Sequence, residues 1–247
     1  MQTLKYVGFE ITTSPYSLNR EFQMEKLLLL TVLLSTCFAE PIDLMGKVFV
    51  FSKESKVDHV SLLTNHTQFN EVTVCLRFLT DVKRNYGLFS LSTASHYNDL
   101  VLFKINSEDV IRMHAVDGGT DFLSLSFPPN TWHSMCATWR SDNGLAQLWV
   151  DGVPTIKRFI KSGQPIRGSP STILGQEQDS YGGGFDADQS FIGMIGKVHM
   201  WNYVIPDSEI KRYVKDRYFT PGNVFNWRSL DYVISGQVYV EDDPDSV

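Results

Sequence analysis

The sequence predicts an all-β protein, an antiparallel sandwich or jelly roll, with one short helix. Three observations carry that prediction. From Lys47 onward the hydrophobic residues recur mostly with period two rather than 3.6. Turn-forming residues cut these runs into many short strands. Aromatic residues make up 13% of the chain, and rings pack well on pleated faces.

The elements follow in order. Leu27 to Leu34 is an apolar run too short to span a bilayer but suited to a signal-peptide core. Lys26 precedes it, and Cys37-Phe38-Ala39 and Pro41 follow. Cleavage after Ala39 is expected, with Met24 a natural start. Residues 1–39 are thus read as an upstream extension and signal peptide, and 40–247 as one domain that is secreted and extracellular. Two cysteines remain, Cys75 and Cys136, and an oxidising compartment allows them one intramolecular pairing. Closing that loop of about 60 residues stabilises by up to about 4 kcal/mol in the chain-entropy picture. Asn65-His66-Thr67 is a glycosylation sequon, consistent with secretion.

Within the domain, Val48 and Val50 alternate with Phe49 and Phe51. Val72, Val74, Leu76 and Phe78 alternate with Thr73, Cys75, Arg77 and Leu79. Leu100 to Phe103 is a short apolar run. Leu145 to Val150 leads into Asp151-Gly152, a hairpin turn signal. Ile192 to Trp201 reads as a further strand, with glycines where backbones can approach closely. Ile210, Tyr213 and Val214 have helical spacing. Pro206 or Asp207 starts that helix, and Lys211, Arg212 and Lys215 load its C-terminal half favourably for the dipole. No internal repeat or second-domain boundary interrupts the pattern. Glu241 to Asp245 reads as a solvated end.

Composition removes several functional classes. Apolar residues at 43% and charged residues at 20% argue against disorder and coiled coil. The net charge is −6 and no Lys/Arg block stands out, which argues against a nucleic-acid binder. The chemistry-bearing segment is GQEQDSYGGGFDADQS, residues 175–190. It holds Glu177, Asp179, Asp186 and Asp188, with Gln178 and Gln189 adding neutral oxygens and three glycines letting the chain fold back. Hard oxygen donors on a flexible loop suit calcium. Such carboxylates repel unless neutralised, so the loop is expected to need the ion for order. An EF-hand is excluded by spacing. Glu177-x-Asp179 also admits a glycoside-hydrolase reading, but no further Glu completes such a motif. A calcium-independent adhesion module of the laminin-G kind is the other alternative. No nucleophile–base pair and no phosphate loop has motif support, so the chain reads as a non-enzyme.

At these residues the sequence resembles the short pentraxin family. LGQEQDSYGG followed by Phe185 and Gln189 is similar to the family's calcium loop, and the likeness runs from about Leu44 to about Tyr239. Val48–Phe51 with Lys53-Glu54-Ser55, Val72–Leu76, Trp149–Gly152 and Asn226-Trp227-Arg228 match further landmarks. Cys136-Ala137-Thr138-Trp139-Arg140-Ser141 matches the family signature, except that Ser134 stands where His is expected and His133 lies one residue early.

The resemblance implies a two-sheet, lectin-like jelly roll with its helix on the face opposite the calcium sites. It implies two calcium ions per subunit, held by Glu177, the Gln178 carbonyl, Asp179, Asp186 and Gln189. The family completes the site with an Asp-Asn pair from an earlier loop; here the order is Asn98-Asp99, preceded by Tyr97. It also implies phosphocholine or phosphoethanolamine, or related anionic ligands on microbial or damaged-cell surfaces. Phe103 then stands at the aromatic position that meets the choline methyls, and a one-residue slip would put Lys104 there. Asp121, one methylene short of the family's glutamate, stands at the position that faces the ammonium. A cyclic homo-oligomer, commonly a pentamer, an acute-phase role in innate immunity and complement components as partners complete what the resemblance implies.

Overall fold

The computed structural model describes residues 40–105 and 109–245. The expected signal segment lies outside the described residues. Among those described, strands of four or more residues are β1 (Lys47–Phe51), β2 (His59–Leu62), β3 (Glu71–Leu79), β4 (Tyr86–Ser92), β5 (Leu100–Ile105), β6 (Val110–Ala115), β7 (Gly118–Phe122), β8 (His133–Arg140), β9 (Leu145–Val150), β10 (Ser171–Leu174), β11 (Gly193–Trp201), β12 (Tyr232–Ser235) and β13 (Val238–Asp242). One α-helix, α1, spans Asp207–Val214.

Two antiparallel sheets form the sandwich that the period-two pattern predicts. The first runs β9-β8-β3-β11-β1-β13, with the two-residue strand Val153–Pro154 on its β9 edge. The second runs β12-β2-β10-β4-β5-β6-β7. The alternation in β3 places Val72, Val74, Leu76 and Phe78 in the core between the sheets, where they meet Phe89, Leu102 and Met113 of the second sheet. The turn after β9 has positive φ at both Asp151 (50°) and Gly152 (82°), as a two-residue primed hairpin turn requires.

The outer face of the first sheet is also buried. Cys75 and Cys136 are directly opposed on β3 and β8 and form the disulfide. Trp149, Trp201, Ile205, Ile210 and Tyr213 pack around it beneath α1. The bridge therefore joins neighbouring strands of one sheet. The helix occurs where the sequence places it because Ile210 and Tyr213 need an apolar surface, and the disulfide and the two indoles provide one. Tyr213 Oη donates to the Lys197 carbonyl at 2.8 Å and Trp201 Nε1 to that of Thr220 at 3.1 Å, so the buried polar ends are satisfied.

Candidate functional site

The acidic segment lies on the outer face of the second sheet, on the opposite side from α1. Gly87 of β4 shows how it docks. A Cβ there would lie 2.8 Å from both the Gln176 carbonyl carbon and the Glu177 amide nitrogen, so only glycine lets this backbone cross the sheet so closely. A bulge between Gly87 and Phe89 accompanies the crossing.

Gln178 anchors the segment and is fully buried. Its Nε2 donates to the Ser90 carbonyl (3.0 Å), to Ser90 Oγ (3.2 Å) and to the Ser171 carbonyl (3.1 Å). Its Oε1 accepts from Ser92 Oγ (2.8 Å) and the Gly182 amide (2.9 Å). The amide side chain is thus consumed by the fold, and its two neighbours, Glu177 and Asp179, flank it on the outer side. Gln176, also buried, donates to the carbonyls of Ser55 (2.8 Å) and Asp58 (3.1 Å). The loop returns through a Ser180–Gly183 turn. Arg84 clamps its second leg, donating to the carbonyls of Asp188 (2.9 Å) and Ser190 (2.6 Å). Phe185 packs on His59, with ring centroids 4.8 Å apart.

The electrostatics isolate one carboxyl. Burial, then the charge of Asp179, pushes Glu177 up to about 7. Asp186 is directed differently. It caps the short 3₁₀ turn Ala187–Gln189, where its Oδ1 accepts from the Asp188 amide at 3.2 Å. Asp188 is exposed. In the earlier loop, Asn98 exchanges backbone contacts with Asp117: its amide donates to Asp117 Oδ1, and its carbonyl accepts from the Asp117 amide, both at 3.0 Å. Asp99 is fully buried. Its Oδ2 accepts from Thr93 Oγ1 at 2.6 Å and its Oδ1 faces His96 Nδ1 at 3.4 Å. Burial pushes the Asp99 carboxyl up, against the Thr93 hydroxyl and His96. Tyr97 is half exposed.

Among the described residues no three acidic, His or Cys side chains are gathered closely enough to hold a metal by themselves. The donor chemistry nevertheless fits a hard cation at Glu177 and Asp179: two carboxylates two residues apart, the half-buried Glu177 raised by burial first and by the Asp179 charge second, beside an immobilised glutamine whose amide is already used. Among the described residues, neither Asp186 nor Asp99 joins a cluster of three or more carboxylates with them.

The two expected ligand residues lie on the same outer face. Phe103 pairs with Gly87 on β4 and with Arg112 on β6, is half-buried, and stays outside the core. Lys104 takes the inward position instead, 4% exposed, near Asp109 at 3.7 Å. Asp121 pairs with Arg112 across β6 and β7. Its carboxylate is held bidentately by that guanidinium, at 2.7 and 2.8 Å. Gly87, Gln178 as an anchor, and Arg112 were missed by sequence reasoning. A lone Gly in a strand was the available signal for the first; the others depend on register.

An antiparallel jelly roll with an acidic loop over one sheet and a helix over the other defines a lectin-like recognition fold. The comparisons make this specific. The sequence model of the Pentaxin family matches residues 47–242. C-reactive protein of Sus scrofa is 42% identical over 222 residues, covering 88% of this chain and 98% of that protein. Serum amyloid P-component of Bos taurus is 38% identical over 211 residues, covering 85% and 93%. A native heptameric SAP-like pentraxin of Limulus polyphemus shares the fold, with a TM-score of 0.75 at 19% identity, over 82% of this chain and 98% of that one. The chain belongs to the pentraxin family.

Proposed function

We propose that this chain is a secreted, calcium-dependent pattern-recognition protein that binds phosphate-bearing ligands through the Glu177–Gln189 loop, and that it is not an enzyme. The observation that carries the reading is the Glu177–Asp179 pair, set beside a fully bonded Gln178 on the outer face of the sheet and next to Phe103. In this reading Glu177, the Gln178 carbonyl and Asp179 hold the first ion. Asp186, Gln189 and the Asn98-Asp99 turn complete a two-ion site as the loop closes. Bound calcium supplies open coordination positions for phosphate oxygens. The protein residues orient that exchange: Gln178 fixes the crossing, Arg84 holds the return leg, and Phe103 offers an apolar surface beside it. The family membership supports the reading, since C-reactive protein and serum amyloid P-component are its close relatives here.

Self-assembly belongs to the same proposal. Leu123, Val153 and Ile156, at 54%, 67% and 68% exposed, border a groove of about 620 Å³ where β7 and the Val153–Pro154 strand form one edge of the sandwich. An apolar edge of this kind suits a second copy in a cyclic homo-oligomer. The exposed Asn65 sits in the loop after β2, accessible to a glycan. The test is retention of the full chain on immobilised phosphocholine and phosphoethanolamine with elution by a chelator. Retention that chelator does not reverse contradicts the reading. Sedimentation of the wild type and of Ile156→Glu tests assembly, with the variant expected to be the smaller species.

A further inference from the structure

The outer face of the second sheet carries a row of paired positions that ends in an ion pair. Register sets Gly87, Phe103, Arg112 and Asp121 side by side on four neighbouring strands, β4 to β7. The Glu177 backbone crosses at Gly87, the head of the row. Adjacent strands lie about 4.8 Å apart, so Arg112 stands about 10 Å from that crossing, with Phe103 between. A phosphate at the loop with a two-carbon arm over Phe103 therefore meets Arg112 before it meets Asp121.

Asp121 is already neutralised. Arg112 Nε donates to its Oδ1 at 2.7 Å and Nη2 to its Oδ2 at 2.8 Å. This ion pair holds the Asp121 carboxyl below the usual carboxylate range and the Arg112 guanidinium above its own, and His114 and Arg158 add to the depression at Asp121. Two permanent cations thus face one carboxylate. A quaternary ammonium brought over Phe103 finds a guanidinium in front of it and no free anion behind.

We propose, building on the calcium-dependent reading above, that the ligand's outer group is an anion: the chain selects organic phosphates that carry a second negative group, received by Arg112 over Phe103, in preference to phosphocholine. A carboxylate can share the planar fork of Arg112, which a cation cannot.

Titration calorimetry of the full chain in calcium tests this with inorganic phosphate, 2-phosphoglycolate, phosphoethanolamine and phosphocholine. The last three share a phosphate and a two-carbon arm and differ in terminal charge. We expect 2-phosphoglycolate to bind at least about tenfold tighter than either cationic ester, roughly the gain of one charge-assisted pair. Arg112→Gln should collapse that ratio toward one. Asp121→Asn, which releases the guanidinium, should widen it. Both variants keep the strand pairing, which far-ultraviolet circular dichroism checks. Phosphocholine binding as tightly as 2-phosphoglycolate, with inorganic phosphate still calcium-dependent, overturns this inference alone. Inorganic phosphate that binds equally with calcium and with chelator overturns the calcium reading and this inference with it.

Discussion

The two outer faces of the sandwich are held in opposite ways. On the first sheet, the disulfide, Trp149, Trp201 and the apolar side of α1 form a dry second core. On the second, a glutamine, three serines and an arginine hold an acidic loop by hydrogen bonds. Apolar burial is non-directional and needs no ligand. The loop is anchored at Gln178 and Arg84 but leaves like charges at Glu177 and Asp179 unneutralised. One face is built for stability, and on the proposed calcium reading the other is left for an ion to finish.

The largest effects should come from the helix face. Trp201 is fully buried, so Trp201→Ala should cost about 3–5 kcal/mol in urea unfolding, while calcium affinity of the folded fraction stays unchanged. Reducing Cys75–Cys136 should cost up to about 4 kcal/mol, with the midpoint falling in parallel. A wild-type midpoint after reduction contradicts the assigned role of this second core.

Acid should also attack the helix face. His199 stacks on Trp201 with centroids 5.7 Å apart, and its Nδ1 accepts from the Gly222 amide at 3.3 Å. Burial first, and Arg228 second, pushes its pKa down to about 3. The unfolded chain then takes up the proton more readily than the folded one. Stability from the neutral imidazole is full above pH 6.5 and is lost as pH falls toward 3, about 2 kcal/mol of it by pH 5. His199→Phe should flatten that part of the pH–stability curve; an unchanged curve contradicts the assignment.

Smaller global effects and larger functional ones are expected on the loop face. Gln178→Ala strands the Ser90 and Ser171 carbonyls and the Gly182 amide, and should cost about 1–3 kcal/mol. It should also speed proteolysis of residues 177–189. Glu177→Gln should move global stability by under about 0.5 kcal/mol, because the loop lies outside the core. Equal losses of stability in these two variants would erase the distinction between anchor and ligand.

What was legible in the sequence follows the same division. The alternation in β3, the Asp151-Gly152 turn, the helix over Ile210 and Tyr213 and the cysteine pair were readable because period, turn chemistry and oxidising context are local properties. The acidic loop was readable as a composition. Its support was not. Gln178 reads as one more oxygen until the Ser90, Ser92 and Ser171 positions are known to lie beneath it. Asp121 reads as a free carboxylate because Arg112 is nine residues away in sequence and becomes its partner only through the β6–β7 register. Asp186 reads as equivalent to Asp179, yet it caps a turn. Asp99 reads as half of a ligand pair from an earlier loop, and its burial against Thr93 is not visible in the sequence.

The most direct test of the account is limited proteolysis of the full chain at residues 177–189, read by mass spectrometry alongside a calcium titration by calorimetry, for wild type and Glu177→Gln. The account predicts that calcium protects the wild-type loop at least about tenfold and that the variant, whose calcium-free unfolding midpoint matches that of wild type, binds calcium at least about tenfold more weakly. Cleavage at the same rate in calcium and in chelator, or a variant that binds calcium as tightly as wild type, contradicts it.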